Sequence, residues 1–498
     1  MLFLCSRERR RRQKHRRCSE PHPSHPEADR HGRVNSAPVT GAPAAADPSM
    51  TGMAITYPRA ERAAQARSAA TGLAADGIDA VLFGWVDNAG LTRVKSVPLP
   101  QLEHAAEYGV GAAPCFDLSL VDDSFAVAPS GTGPVGDLRL VPDLDRLVPL
   151  AAQPGWAWAP ADRWTQDGTP HPGCQRGFAR RAAEAVERRG LSVRAGIEVE
   201  WVVADAAGTP ATHAPAYGMT RVVEHSDYLR EVLRALTAQG LEVLQLHPEY
   251  AAGQFEVSVA AEGPVEAADT TMLVRHTVRA VSARHGLRVS YAPVFTEGSL
   301  GNGSHLHLSL WRDGRNLAHG GPGRHGLHPD AEQFLAGALA ELPALLALGA
   351  PGVASYLRLV PSHFAGAYRC WGLENREAAL RLITGSAAGQ ANAEFKCFDA
   401  AANPYLMIGG VLATGLAGLD AGLLLPPETP GDPAVTGSAE RLPASLPEAI
   451  AAYEKSALLR QALGGELYEA VLAVRQAEAE LFAGRADADV VEAVRWRY

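Results

Sequence analysis

No stretch of 18 or more consecutive apolar residues occurs in this 498-residue chain, so a membrane-spanning helix is not expected. The nearest approach, Leu406 to Leu425, is interrupted by five glycines and Asp420. Cysteine is scarce: six residues, at 5, 18, 115, 174, 370 and 397, with no CxxC pair. In a chain this long that pattern reads as a reduced, cytoplasmic protein without a disulfide framework. Positive charge is not in excess either, since 46 Lys and Arg face 55 Asp and Glu for a net charge of −9. A nucleic-acid binder would carry a basic face, so that class is disfavoured. Walker A and kinase glycine-loop sequences are both missing, and any nucleotide must be held in some other way. No internal repeat is evident.

What is present is ordinary globular composition, 47% hydrophobic and 20% charged, and a length that suggests two to four domains. The first residues stand apart. Arg7 to Arg17 holds eight Lys or Arg in eleven positions, followed by a Ser/Pro/His/Ala stretch with little to bury. Residues 1–52 are therefore expected to be a disordered basic extension, with Met50 and Met53 as alternative starts. A secretory signal would need an apolar segment after the basic run, and none follows.

Ala60 to Asp76 predicts a helix ended by Gly77. Ala80–Asp87 and Leu91–Pro98, joined by Asn88-Ala89-Gly90, predict a hairpin. Residues 53–152 are expected to form a small strand-rich domain, and the Pro/Trp/Gly-rich passage 153–173 a link into a catalytic domain over 153–498. There helices and strands alternate, with strands at 193–203, 243–246, 255–259, 288–293 and 305–311. Helices are expected at 176–189, 228–239, 266–285, 330–348 with a kink at Pro343, and 403–425. Ser445-Leu446-Pro447-Glu448 is a capping box opening the last helical run. The fold class is α+β.

Three strand-like segments carry acids or imidazoles where a buried strand should be apolar. Glu198 and Glu200 are two apart, which on one strand places both on one face. His305, His307 and Ser309 repeat the spacing, and Glu256 follows Glu249 by seven residues. Each alone reads as a solvated strand face. Together they would repel unless a cation neutralised them, and hard oxygen ligands with an imidazole suit Mg²⁺ or Mn²⁺. Arg358, Arg376 and Arg381 downstream read either as surface cations or as a clamp on a transferring phosphate.

The order and spacing of these motifs, with Ala401-Ala402-Asn403-Pro404-Tyr405-Leu406 after them, resembles the glutamine synthetase superfamily from about residue 70 to the C-terminus. The resemblance implies a small β-grasp-like N-terminal domain and a large catalytic domain with a curved antiparallel sheet and flanking helices. It implies a homo-oligomer of two hexameric rings with active sites between neighbouring subunits. Glu200, Glu249 and Glu256 look like the ligands of one divalent metal; Glu198, His305 and Glu394 look like those of a second. Gly301 and Gly303 are similar to a glycine-rich substrate loop. Arg358 looks like a contact to the substrate carboxylate, Arg376 and Arg381 like phosphate contacts, and His307 and Ser309 like the lining of the nucleotide channel. Asp117 resembles an acceptor-site aspartate reaching into the adjacent subunit. The implied reaction has ATP phosphorylate a side-chain carboxylate and an amine displace the phosphate.

Two departures matter. Glutamine synthetases carry a glutamate where Phe364 stands here, and relatives acting on polyamines or ethanolamine place an aromatic there. Lys396 stands where an arginine grips the substrate, and a lysine lacks the bidentate fork. The reading is thus a ligase joining glutamate to a primary alkylamine or polyamine. The alternatives are a glutamine synthetase using ammonia, or an inactive structural relative.

Overall fold

The computed structural model describes residues 57–128, 133 and 135–498. The basic extension expected over 1–52 lies outside the described residues.

The N-terminal helix Arg59–Ala75 buries Ala63, Ala66 and Leu73 on one face, and Gly77, at φ 74°, turns the chain out of it. In the next strand, Ala80–Val86, the alternate residues Val81, Phe83 and Trp85 are buried. It pairs antiparallel with Thr92–Pro98, from Ala80 opposite Pro98 to Val86 opposite Thr92. At the turn Gly90 has φ 85°, and a Cβ there would overlap the carbonyl oxygen of Ala401. Only glycine satisfies both conditions.

The passage 153–173 is not a linker. Trp156–Trp164 is a buried strand in the centre of the N-terminal sheet, whose order is Thr92–Pro98, Ala80–Val86, Trp156–Trp164, Leu138–Pro142, Val110–Ala112. Pro160 made this stretch read as irregular, because proline cannot donate to a ladder. It stands where the strand changes partners: Ala157 and Trp158 pair with Val148–Pro149, whereas Ala161 onward pairs with Leu138–Pro142. The N-terminal sheet therefore extends past residue 152, to Trp164.

Two further sheets build the site. The expected single strand 193–203 breaks at Glu198. Ser192–Ile197 pairs with Leu306–Arg312 in a seven-stranded sheet, and Val199–Ala204 pairs with Gln254–Val259 in a four-stranded one. Glu198 bridges the two, its N–H donating to the His305 carbonyl at 3.1 Å. The seven-stranded sheet continues through Asn392–Phe395, Ala378–Ile383 and Tyr368–Leu373. Those three short strands were not expected from the sequence.

Helix Pro404–Ala421 packs against Pro329–Ala340 and Gln175–Glu187. Its glycines permit the close approach: a Cβ at Gly415 would press into the Phe334 ring, and one at Gly418 would meet Gly337 at 2.6 Å. Its length and apolarity would suffice for a membrane span, yet 67% of it is buried inside the protein. The helix expected over 330–348 is two, Pro329–Ala340 and Leu342–Gly349, bent by 72°. Pro343 lies in the first turn of the second, where its missing N–H costs nothing.

Candidate active site

A cavity of about 650 Å³ opens where the two catalytic-domain sheets meet. Glu198, Glu200, Glu249, Glu256, His305, His307 and Glu394 all line it. Strand pairing explains the convergence. Glu200 lies opposite Glu256, His307 opposite Glu394, and Arg381 opposite Glu394 on the other edge.

Donor atoms of Glu198, His305 and Glu394 lie within 4.8 Å of one another, as do those of His247, Glu249 and Glu256. The first trio matches the set expected from resemblance. The second differs, because His247 takes the place expected for Glu200. Its Nε2 lies 3.3 Å from Glu256 Oε1 and its Nδ1 3.5 Å from Glu249 Oε1. Glu200 sits between the trios instead: its Oε2 accepts from Gln254 Nε2 at 2.8 Å and Gly303 N–H at 2.9 Å, and its Oε1 is 3.8 Å from His305 Nε2. The sequence did hold a signal for His247, which precedes Glu249 by two residues, the spacing already noted in His305 and His307.

The electrostatics are those of acids crowded together. Burial, with the charges of Glu198 and Glu200, pushes Glu256 up to about 7 despite a hydrogen bond from His247. Its hydrogen bond with Glu256 raises His247 to about 9. Burial works against protonating His307, but Glu198 and Glu394 outweigh it and lift it to about 9. Burial likewise opposes ionisation of Glu394, yet Lys396 and His305 hold it well below the usual carboxylate range. Two trios, each of two carboxylates and one imidazole, fit a pair of hard divalent cations, and Glu256 shows negative charge that nothing in the protein fully offsets.

Gly301 lines the cavity, and Gly303 follows it in the same loop. A Cβ at Gly303 would come within 2.7 Å of Glu200 Oε1 and 2.8 Å of Arg358 Nη2. Gln254, which the sequence reading passed over, ties this loop down: its Nε2 also donates to Gly301 O at 3.0 Å and Asn302 Oδ1 at 3.1 Å. Arg358 is buried, with Nη2 3.1 Å from His305 Nε2 and Nη1 without a partner among the described residues. That leaves a donor for a substrate carboxylate. Arg376 and Arg381 line the same cavity, Arg381 Nη1 donating to Glu394 at 3.1 Å.

Three expected residues sit differently. Lys396 lines the cavity, but its ammonium is 3.0 Å from Glu394 Oε1 and engaged there. Ser309 is outside the lining and accepts from Trp311 Nε1 at 2.8 Å. Two residues advance a strand by about 7 Å, which carries Ser309 beyond the cavity on the face His307 shares. Asp117 is also outside it. Its buried carboxylate pairs with Arg163 and accepts from Gln175 at 3.3 Å.

At the rim Phe364 is 43% exposed and stacks on Tyr250 at 5.8 Å. Tyr250 meets Tyr217 at 5.5 Å, and Tyr217 stacks on His247 at 5.4 Å while its hydroxyl donates to Glu249. The sequence had shown only Phe364 of this aromatic shelf. Phe364 and Ser362 hold φ of 56° and 58°, strain of the kind that collects at functional sites.

Comparison with known proteins agrees with this geometry. Residues 172–493 match the glutamine synthetase catalytic domain. The chain is 54% identical over 442 residues to a γ-glutamylpolyamine synthetase of Streptomyces coelicolor, covering 86% of this chain and 95% of that one. It is 34% identical over 307 residues to a glutamine synthetase of Thermococcus kodakarensis, covering 59% and 68% respectively. Among solved structures, a novel glutamine synthase homologue superposes with a TM-score of 0.77 at 34% identity, covering 84% of this chain and 99% of that one. GmaS in complex with ADP follows, with a TM-score of 0.75 at 28% identity, covering 84% and 96%.

Proposed function

Because this chain belongs to the glutamine synthetase family and is an ATP-dependent carboxylate–amine ligase, we propose that it joins the side-chain carboxylate of glutamate to a primary amine of a polyamine or other alkylamine. The observation that carries the reading is the aromatic shelf of Phe364, Tyr250 and Tyr217 beside the carboxylates of the cavity. A polyamine alternates cationic nitrogens with methylenes, and such a shelf offers cation–π attraction and apolar contact together. Similarity to the Streptomyces coelicolor γ-glutamylpolyamine synthetase supports the same acceptor class.

In this reading Arg358 orients glutamate through its free guanidinium nitrogen. A glutamate side-chain oxygen attacks the terminal phosphorus of ATP, the phosphoanhydride bond breaks and ADP leaves, giving an acyl phosphate. Arg376 and Arg381 hold the transferring phosphoryl oxygens, as guanidiniums do through paired hydrogen bonds. The amine nitrogen then attacks the acyl carbon, inorganic phosphate departs and an amide remains. Before that attack the entering ammonium is held at the foot of the shelf beside Tyr217, where the Glu249 carboxylate takes one proton from it; the second leaves with the phosphate as the amide forms. Divalent metals, Mg²⁺ or Mn²⁺, bound by Glu198, His305 and Glu394 and by His247, Glu249 and Glu256 with Glu200 between them, would offset the charge of a carboxylate meeting a triphosphate.

We place the reaction in the cytoplasm, a reading supported by the four described cysteines, Cys115, Cys174, Cys370 and Cys397, being free thiols. We also propose a two-ringed dodecamer. The test of function is phosphate release with ATP and glutamate across ammonia, ethanolamine, short alkylamines, putrescine and spermidine. The amines should exceed ammonia in kcat/KM. If ammonia equals or exceeds every amine, the protein is a glutamine synthetase instead.

A further inference from the structure

A second cavity, of about 310 Å³, shares no lining residue with the first. Its wall carries Arg93, Arg275, His276, Arg279 and Arg497 against one side-chain carboxylate, Asp123. That carboxylate is already committed, 2.7 Å from Arg93 and 3.1 Å from Arg497. Arg93 also pairs with Asp87 at 2.7 Å. Arg275 and Arg279 lie four apart on helix Pro264–Arg284, hence on one face. Neither has a carboxylate within 4.0 Å among the described residues; each guanidinium instead lies over the neutral Tyr291 ring, at 6.0 and 5.5 Å. Arg93 Nη2 and Arg275 Nε are buried without a hydrogen-bond partner among the described residues. Such donors are costly and call for an explanation. The local field agrees: burial pushes Arg275 down to about 10, and burial with the two flanking arginines pushes His276 down to about 4.

Four guanidiniums face Asp87, Asp123, the buried Asp399 whose charge bears on Arg275, and the carboxylate of Tyr498, whose oxygen accepts from Tyr291 N–H at 3.3 Å; what the pocket, half the size of the active-site cavity, offers an anion is its open guanidinium donors. We propose that this second cavity binds a small oxyanion, a phosphate or a short dicarboxylate, on those open donors. Guanidinium forks match the oxygens of either group. The site also touches the catalytic machinery. Arg275 Nη2 donates to Ser304 Oγ at 3.3 Å, and Ser304 directly precedes His305 on the substrate loop. Occupancy at Arg275 therefore acts on the loop that positions His305.

The test is equilibrium dialysis of labelled phosphate against the full chain in EDTA, where the uncompensated acids of the active site repel anions. Wild type should bind about one phosphate per chain, and Arg279→Ala, at an exposed position, should weaken binding by about tenfold or more, the loss of one charge-assisted pair. Arg376→Ala, which removes a guanidinium from the other cavity, should leave it unchanged. Competition by succinate extends the ligand class to dicarboxylates; failure to compete restricts it to phosphates. The proposal is overturned if phosphate and succinate both fail to bind, if Arg279→Ala binds as wild type, or if binding is lost in Arg376→Ala. It is equally overturned if no anion binds and Arg279→Glu dissociates the assembly, because a carboxylate of another copy then fills the cavity.

Discussion

Glu256 faces Glu200 across two hydrogen-bonded strands, and its carboxyl is pushed from 4.5 to about 7. A group whose folded value is raised stabilises fully below its unfolded value and loses that contribution as pH rises through the folded one. Without metal, the Glu256 contribution is therefore lost between about pH 4.5 and 7, and that of His247 and His307 between about pH 6.5 and 9. For Glu256 this amounts to on the order of 3 kcal/mol. Glu256→Gln should raise the melting temperature in EDTA at pH 7.5, flatten its fall with pH, and abolish ligase activity. Divalent metal should release protons on binding, read calorimetrically in buffers of different ionisation enthalpy. A Glu256→Gln protein that melts below wild type in EDTA at pH 7.5 would remove the argument that repelling acids await a cation. Phe364 carries the companion prediction. A cation–π contact contributes about 0.5–2 kcal/mol and each buried methylene about 0.8 kcal/mol, so three or four methylenes give about a hundredfold preference over ammonia. Phe364→Glu should restore an anion for ammonium and shift kcat/KM toward ammonia. An unchanged acceptor ratio would show that the ring does not select the amine.

The loop from Gly301 to His305 works because it carries no side chain at 303. Gly303→Ala would push against Glu200 and Arg358 at once, both held by other bonds. A displacement near 1 Å at reacting groups costs about a hundredfold in rate. Gly303→Ala should thus lose about that much kcat with nearly unchanged melting temperature, whereas a loss of folding would make the glycine structural. Elements of this kind also mark how far the sequence could be read. The period-2 spacing of Glu198/Glu200 and His305/His307 pointed to a shared face, and the acids do converge. The means differ, since the chain changes sheets at Glu198, a crossing that a continuous apolar run conceals. Trp156–Trp164 was hidden by Pro160, and Asn392–Phe395 by its brevity. Four residues give no period, so Glu394 became visible only through resemblance or through its pairing with His307 and Arg381. Gln254 escaped for another reason: its role comes from what it bonds across strands, Glu200 and the Gly301 loop.

At the scale of the whole molecule the open matter is how copies of the chain meet. Phe125 and Val127 are 54% and 91% exposed, two apolar side chains two residues apart in the segment that follows Asp117. Scattered single apolar residues on a surface mean little, but neighbours in one segment suggest a partner. Covering a valine contributes about 1.5–3 kcal/mol, and in a closed ring that contribution recurs at every equivalent interface. Val127→Asp exchanges this gain for the burial of a charge, whose cost is larger still. The variant should fall from the proposed ring assembly to smaller species at micromolar concentration, measured by mass photometry, while its far-ultraviolet dichroism stays that of wild type. Activity then distinguishes two arrangements. If Asp117 or its neighbours complete the site of an adjacent copy, the dissociated variant should lose ligase turnover although its own cavity is intact. Asp117 would have to exchange its present partner, Arg163, for a ligand of the neighbouring site. Should the dissociated variant keep full turnover, every group needed for catalysis belongs to one chain, and the pairing of Asp117 with Arg163 is structural. Should Val127→Asp stay assembled, the exposed pair is not the ring contact and the assembly is built on another surface.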